Sequence, residues 1–308
     1  MADNSQHSPI HRDAVLGVLF SVLAAIGFSA KAILVKLAYR DSVDAVTLLA
    51  LRMVFSVPFF IGIALWAKRH HAEPLGRHDT LLVLTLGLIG YYLSSFLDFI
   101  GLQYISAGLE RLILFLYPTL TVILSALVYK RAITKKLIAA MALSYAGIVL
   151  VFMHDIAMRQ SGIVLGAALV FASTLSYSVY LVGAGHAIAR IGAARFTAYA
   201  MVVASAASLL QFGVTHPLSA LNLPMRVYEL AIAMGIVSTV LPVFLLSYAI
   251  HRIGSGTASL IGTIGPVSTI YMAYMFLDES LSLLRIAGSS LVLAGVFIVS
   301  VTSKHEQE

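Results

Sequence analysis

The sequence predicts an all-α membrane protein with ten transmembrane helices, arranged as two inverted five-helix repeats with the N and C termini in the cytoplasm. Three observations support this fold class. Of the 308 residues, 60% are hydrophobic and 11% are charged, whereas about 25% of a soluble domain is charged. Ten apolar runs are long enough to cross a bilayer, and the second half of the chain repeats features of the first.

The apolar runs follow one another with short links. A helix needs about 20 mostly apolar residues to cross the hydrocarbon core, and each run is of that order. Links of a few residues make successive helices antiparallel and leave no room for a soluble domain. The ten runs cover approximately residues 14–38, 44–67, 79–104, 107–129, 135–154, 161–188, 192–213, 227–251, 256–277 and 282–302.

The basic residues predict the orientation of these helices, because cytoplasmic loops are enriched in Lys and Arg. Of the 20 Lys and Arg residues, twelve fall on the side of the two termini, five fall on the opposite side and three lie inside spans. The tails, residues 1–13 and 303–308, are therefore expected in the cytoplasm. The net charge of +6 follows from this topology, so we expect no nucleic-acid partner. The absence of cysteine excludes disulfides and thiolate metal sites.

An internal repeat relates the two halves of the chain. Pro118 and Pro266 lie 148 positions apart, and residues 86–152 align at this offset without a gap, with 16 identities in 67 positions. The earlier part of the chain fits an offset of 149. Further pairs are Gly87 with Gly235, Gly108 with Gly256, Thr121 with Thr269, and, at offset 149, Gly17 with Gly166 and Ser29 with Ser178.

The repeat divides the chain into residues 14–154 and 155–302, each with five helices. Because five is odd, the second unit is expected to enter the membrane from the opposite side. Inverted repeats are typical of secondary transporters, whose sites lie near the bilayer midplane between the halves. The alternative is an old duplication with only a structural role. We favour transport, because pseudo-symmetry suits alternating access.

Two segments carry a resemblance to a known family. The stretches "YPTLTVILSALVYKRAITKKLIAAMALSYAGIVLV" and "GPVSTIYMAYMFLDESLSLLRIAGSSLVLAGVFIV" resemble the two EamA repeats of the drug/metabolite transporter superfamily. The second keeps the acidic turn residue, Glu279, whereas the first has Lys130 and Arg131 in its turn. The resemblance implies a multi-pass carrier in a bacterial inner membrane. Within the superfamily, the chain more loosely resembles amino-acid exporters of the YddG type, whereas other branches carry drugs, nucleotide sugars and other metabolites.

Polar side chains inside the spans indicate a cavity, because such residues usually face a cavity or a partner. Steps of three and four residues place one polar stripe on the third span. The repeat gives the eighth span matching residues, among them Gly235 and Pro242. Packing of small residues between helices is the alternative explanation. The stripe contains Tyr91, Ser94, Ser95 and Asp98, and its counterparts are Ser238 and Thr239.

The first span contributes Phe28 and Lys31, which the repeat matches with Tyr177 and Tyr180. Lys31 lies beyond the middle of its helix, too deep for easy snorkelling. Two interpretations stay open for it. Lys31 either faces a substrate carboxylate, or it pairs with Asp98, Glu110 or a backbone carbonyl. Arg52, one turn into the second span, is interpreted as a structural or snorkelling residue.

Charges also begin the fourth span, where Ser106 is a predicted N-cap and Glu110 lies near the positive end of the helix dipole. We expect Arg111 to pair with Glu110 or Asp98, so that these charges pin the hairpin between spans three and four. The alternative is a gate or a proton site. Asp98 and Glu110 are the natural proton carriers if transport is coupled to protons.

Pro118 and Pro266 are expected to kink their helices, because proline removes a backbone hydrogen bond and clashes with the preceding turn. The kinks are interpreted as hinges or as features that widen a cavity. Tyr117 and Thr263 are expected to point at these bends. Hydroxyl and aromatic groups suit an amphipathic zwitterion, whereas a phosphate site would need several cations.

These observations predict a secondary transporter that exports aromatic or neutral amino acids, or similar small metabolites, by alternating access. Spans one, three, four, six, eight and nine should line the cavity, with five and ten peripheral. The alternative is a carrier for another metabolite or drug. An intramembrane enzyme is disfavoured, because H-E-x-x-H, G-x-S-x-G and paired Asp motifs are absent. No catalytic residue, metal or cofactor is expected.

Overall fold

The computed structural model describes residues 9–70, 75–130, 134–157 and 161–305, and these residues are helical apart from short turns and linkers. No β-strand occurs within these ranges. Of the tails predicted from the sequence, residues 1–8 and 306–308 lie outside the described residues. The described parts of both tails continue a helix, since the first helix begins at Pro9 and the last ends at His305.

We label the helices in chain order. Their bounds are α1 Pro9–Tyr39, α2 Ala45–His70, α3 Arg77–Gly101, α4 Ala107–Tyr129, α5 Lys135–Ala157, α6 Ile163–Ile191, α7 Ala193–Thr215, α8 Met225–Gly254, α9 255–277 and α10 Leu283–His305, with a 3-10 turn at Leu218–Leu221 between α7 and α8.

Within the described residues, seven helices are long and apolar enough to cross a membrane, namely α1 to α4 and α6 to α8. The other three contain shorter apolar stretches, Ile138–Met153, Ile264–Leu277 and Leu283–Ile298. Many large apolar side chains, such as Leu127 and Leu210, are exposed on the outer surface. An exterior of this kind suits lipid, because lipid tails are as apolar as leucine.

Local irregularities recur at the spacing of the sequence repeat. A π-helical turn occupies Leu88–Leu93 in α3, and another occupies Ile236–Val240 in α8. α4 breaks between Leu114 and Tyr117, and α9 breaks at Thr263. Left-handed residues end the helices that follow, with φ of 52° at Lys130 and 59° at Asp278. Each pair lies 148 positions apart, so the repeat extends from side chains to backbone geometry.

Helices of each half also pack against helices of the other half, and the contacts are equivalent in the two halves. α1 packs against α8 and α9, and its counterpart α6 packs against α3 and α4. α2 packs against α7, and α5 packs against α10. The first helix of each half therefore lies against the third and fourth helices of the other half, which places a long interface along the middle of the molecule.

Candidate functional site

A cavity of about 400 Å³ lies in this interface. α1, α2, α3 and α4 line one part of it, and α6, α7, α8 and α9 line the rest. It extends from Asp98, in the last turn of α3, toward Ile250 and Ala258, beside the kink between α8 and α9. Ser21 Oγ donates a 3.1 Å hydrogen bond to the Ala258 carbonyl there, so this is also the end where α1 begins.

Most of the residues predicted from the sequence surround this cavity, although their roles stay predictions. Glu110 and Tyr180 lie behind the wall, and Thr263, Pro118 and Pro266 lie at the helix breaks. α2 and α7 also line the cavity, which the sequence did not predict. The predicted residues that line it are Phe28, Lys31, Tyr91, Ser94, Ser95, Asp98, Arg111, Tyr117, Tyr177, Ser238 and Thr239.

Lys31 lies between two carboxylates at the inner end of the cavity. Its Nζ atom is 2.5 Å from Asp98 Oδ2 and 3.1 Å from Glu110 Oε1. The Glu110 side chain is fully buried, and Asp98 is 3% exposed. Glu110 is close enough for an ion pair but not aligned for a hydrogen bond, and Asp98 Oδ1 also has no hydrogen-bond partner. The ion-pair interpretation of Lys31 is therefore the geometry observed.

Arg111 differs from the prediction. Within the residues that the structure describes, it forms no ion pair, and its Nε atom is buried without a hydrogen-bond partner. The physical reason is that Lys31 occupies the positions beside Asp98 and Glu110 where Arg111 was expected. The predicted N-cap is confirmed, since Ser106 Oγ accepts a 3.2 Å hydrogen bond from the Leu109 amide.

Arg52 is a cavity residue that the sequence did not reveal as one. Its Nε donates a 3.0 Å hydrogen bond to Thr239 Oγ1, and its Nη1 lies 3.5 Å from Ser95 Oγ. Thr239, in the π-helical turn of α8, donates in turn from Oγ1 to the carbonyl of Met234, which precedes that turn. The guanidinium also lies 5.5 Å from the centre of the Phe99 ring. These contacts connect α2 to α3 and to the other half of the chain.

Tyrosines line the cavity on the α6 side, with Tyr180 packed directly behind them. The hydroxyls of Tyr91 and Tyr180 are 3.0 Å apart, and their ring centres are 4.9 Å apart. Tyr177 stacks on Tyr180 and meets the Tyr117 ring edge-on at 5.7 Å. Gly90 permits this contact between α3 and α6, because a Cβ atom at that position would overlap the Tyr180 ring. The wall therefore presents aromatic faces with hydroxyl groups.

The prolines do not lie within continuous helices. Phe115 and Leu116 form a turn, and Pro118 occupies the first turn of the segment that follows, where a missing amide hydrogen costs little. Pro266 similarly lies in the first turn after the break at Thr263. The expected bends are present, but each is a helix break that precedes its proline by a few residues.

At the end of the molecule opposite the cavity, charged side chains connect neighbouring helices. Glu279 Oε1 accepts a 2.7 Å hydrogen bond from the Ala107 amide at the start of α4. Arg285 lies 3.2 Å from Glu279 and 2.8 Å from Asp155. Ser106 Oγ donates to Asp155 at 2.8 Å. This group, which we call the Glu279 cluster, connects the α9–α10 turn to α4 and α5.

Both halves of the chain match one family of known proteins. The model of the EamA-like transporter family matches residues 15–153 and again residues 164–301. The uncharacterized transporter YcbK of Bacillus subtilis (strain 168) is 31% identical over 294 residues, which cover 94% of this chain and 92% of YcbK.

Two further similarities are shorter or purely structural. The probable terminal-alkyne amino-acid exporter of Streptantibioticus cattleyicolor is 31% identical over 121 residues, which cover 39% of this chain and 38% of the exporter. A solved crystal structure has the same fold, with a TM-score of 0.59 and 18% sequence identity over 95% of this chain and 99% of that one. The chain is a multi-pass membrane protein, and it belongs to the EamA-like transporter family of the drug/metabolite transporter superfamily.

Proposed function

We propose that this protein is a secondary transporter that exports aromatic or neutral amino acids, or similar small metabolites, across the bacterial inner membrane. One observation carries the proposal: a polar and aromatic cavity of about 400 Å³ lies between two segments that match the same transporter family. Secondary transporters place their substrate sites at such an interface. The relatives reported above are named as transporters, which favours a carrier over an enzyme.

The proposal includes an inverted repeat of five-helix units, residues 14–154 and 155–302. Two matches to one family model, the recurring helix breaks and the exchanged packing all support a repeated unit. With α5, α9 and α10 counted as spans, each unit has five, and the odd number inverts the second unit. Both termini are then cytoplasmic, as the basic residues favour.

In this orientation the cavity faces the cytoplasm, because it extends toward the end where α1 begins. The Glu279 cluster then closes the opposite side. Export requires the cluster to open while the cytoplasmic side closes. The breaks that precede Pro118 and Pro266 are the proposed hinges, because a helix break permits one segment to move relative to the next.

Protons are the proposed coupling ion. Asp98 and Glu110 are buried beside the cavity and share one cation, Lys31. The two carboxylates carry one negative charge more than Lys31 balances, and a proton is the cation that would neutralise it. A proton bound there would weaken the ion pairs of Lys31. Because Lys31 lines the cavity, protonation would then affect the substrate site.

Amino acids are the proposed substrate class for two reasons. The Streptantibioticus relative is named as a probable amino-acid exporter, although it covers only 39% of this chain. The cavity wall also combines tyrosine rings, hydroxyls and charges of both signs, which suits a zwitterion with an apolar side chain.

The test is flux of labelled amino acids in proteoliposomes, with and without a pH gradient. We expect protein-dependent flux of at least one aromatic or neutral amino acid, faster with a gradient. Lys31→Ala and Tyr91→Phe should both lower it. Ser290→Ala is the matched control, because Ser290 is exposed and bonds only within its own helix. Absence of flux for every amino acid would refute the substrate class, and unchanged flux in both cavity variants would refute the site.

A further inference from the structure

Three cations and two carboxylates belong to the cavity region. The cations are Lys31, Arg52 and Arg111, which all line the cavity, and the carboxylates are Asp98 and Glu110. Lys31 contacts both carboxylates. Among the described residues of the site, cations therefore exceed carboxylates by one, and neither arginine lies within ion-pair distance of a carboxylate. The contacts of the two arginines show which of them is available to an anion.

Arg52 is held by the protein. Its guanidinium bonds to Thr239 and Ser95 and lies over the Phe99 ring, so its position is fixed by three side chains. Arg52 is also 8% exposed, which leaves little of it available to a ligand. It is a poor candidate for a residue that binds and releases a substrate.

Arg111 has none of these restraints. Among the described residues, Arg111 has no hydrogen bond or ion pair at contact distance, and its Nε atom is buried without a partner. Glu110 and Asp98 act on its charge only from farther away. The guanidinium lies against Gly265 of α9, where a Cβ atom would come within 2.7 Å of Nη2. An arginine cannot lose its proton in a protein, and Arg111 is half-buried at the cavity surface, so it presents a permanent positive charge there. An anion in the cavity would neutralise this charge.

We propose that Arg111 binds the carboxylate of the transported molecule; this rests on the proposed function and names the residue that recognises the substrate. A guanidinium matches a carboxylate with two parallel hydrogen bonds. A single free cation suits one carboxylate, whereas a phosphate dianion would need several cations. Glu110, Tyr117 and Asp98 are the ionisable groups that act on Arg111, so the aromatic wall and the two carboxylates lie near the same position.

The proposal changes the role expected for Lys31. Its charge is already balanced by Asp98 and Glu110, so it has little attraction left for a substrate carboxylate. The substrate class is a molecule with one carboxylate and an aromatic or apolar remainder. Gly265 is a second determinant, because a side chain there would displace the guanidinium.

The experiment compares two probes in proteoliposomes. Labelled L-phenylalanine carries a carboxylate, and labelled L-phenylalaninamide replaces it with a neutral amide of similar size. We expect the wild-type protein to transport phenylalanine in preference to the amide. Arg111→Gln should reduce the ratio of the two rates by about tenfold to a hundredfold, the loss expected for hydrogen bonds to a charged group. Arg111→Lys should give an intermediate ratio, because lysine keeps the positive charge but cannot donate two parallel hydrogen bonds to a carboxylate.

The ratio separates recognition from a structural role. Arg52→Gln is the matched comparison, and it should lower both rates alike, since Arg52 is bound to protein side chains. Equal loss of both rates in Arg111→Gln would overturn the inference, as would a wild-type protein that does not discriminate between the probes. If Arg111→Gln does not fold, Arg111→Lys decides by the same ratio. If the wild-type protein moves neither probe nor any other amino acid, the proposed function fails together with this inference; if it moves them with a ratio independent of Arg111, only the inference fails.

Discussion

The hydroxyl of Ser29 in α1 donates a 2.8 Å hydrogen bond to the carbonyl oxygen of Gly265, the residue before Pro266. In the other half, Ser178 of α6 donates at 3.3 Å to the carbonyl of Tyr117, the residue before Pro118. Thr269 and Thr121 donate to the same two carbonyls. The first helix of each half is thus bound to the other half beside a helix break.

Ser29→Ala should destabilise the protein by about 0.6 to 1.5 kcal/mol, because it removes a buried hydrogen bond between helices. Ser178→Ala should cost less, since its bond to Tyr117 is longer. The midpoint of thermal unfolding in detergent measures both effects. The control is Ser290→Ala, which removes only an exposed bond within α10 and should leave the midpoint unchanged. Equal midpoints for Ser29→Ala and the wild-type protein would contradict this account.

Lys31→Ala should cost about 3 to 5 kcal/mol, because it leaves Asp98 and Glu110 buried without their cation. Asp98→Asn should cost less, because Glu110 still pairs with Lys31. The double variant should be more stable than the sum of the single effects predicts, since it removes a cation and a carboxylate together. Unfolding free energies of the four proteins form the required cycle. Additive losses would show that the two side chains do not interact in the folded protein.

The sequence predicted the positions of the helices more accurately than the partners of their side chains. The predicted span 107–129 coincides with Ala107–Tyr129, and 79–104 differs from Arg77–Gly101 by a few residues. Apolar run lengths and short links determine these bounds, so no tertiary information is needed. The π-helical turn at Leu88–Leu93 was not predicted, because no local residue pattern specifies it.

For the candidate site, too, the sequence predicted which residues lie near the cavity better than it predicted their contacts. Periodicity placed Tyr91, Ser94 and Asp98 on one stripe, and the structure places all three on the cavity. The orientation of α2 depends on its packing against α7, so the sequence did not show that Arg52 reaches Thr239. Likewise, the sequence supplied Lys31 and Arg111 as candidate partners for the carboxylates, but only the relative depth of α1, α3 and α4 decides between them.

The orientation can be tested with single cysteines, since the natural chain contains none. Ala194 lies exposed in the first turn of α7, at the end where the predicted orientation places the cytoplasm. Ser219 lies exposed between α7 and α8, at the opposite end. In intact cells, an impermeant maleimide should label Ser219→Cys and not Ala194→Cys. If the reagent instead labelled Ala194→Cys and not Ser219→Cys, the orientation in the membrane would be the opposite of the predicted one.

Asp44 should make stability depend on pH. Burial alone would raise the pKa of its carboxyl, but hydrogen bonds from Thr47 and Val46 and the nearby His216 lower this pKa below its ordinary value. A lowered pKa in the folded state contributes stability that is complete above the unfolded pKa, about 3.9, and is lost as pH falls through the folded value.

Asp44→Asn can still cap α2 but carries no charge. The wild-type protein should therefore unfold at a higher temperature than this variant at pH 6, and the difference should shrink as pH falls below about 4. Thermal unfolding followed in detergent at several pH values gives the comparison. A difference that stays constant over this range would exclude the Asp44 charge as its source.

Glu279→Gln should loosen the end of the molecule opposite the cavity. The carboxylate accepts a hydrogen bond from the start of α4 and pairs with Arg285, and a neutral amide weakens both interactions. Ser289 lies 6% exposed beneath this cluster, so Ser289→Cys reports its opening with little change in volume. We expect an impermeant thiosulfonate to label Ser289→Cys about tenfold faster in the Glu279→Gln background, as loss of a charged hydrogen bond implies. Ser290→Cys, which is exposed on the same helix, should react at one rate in both backgrounds. If Ser289→Cys reacts equally fast with and without Glu279→Gln, the Glu279 cluster does not keep this end closed.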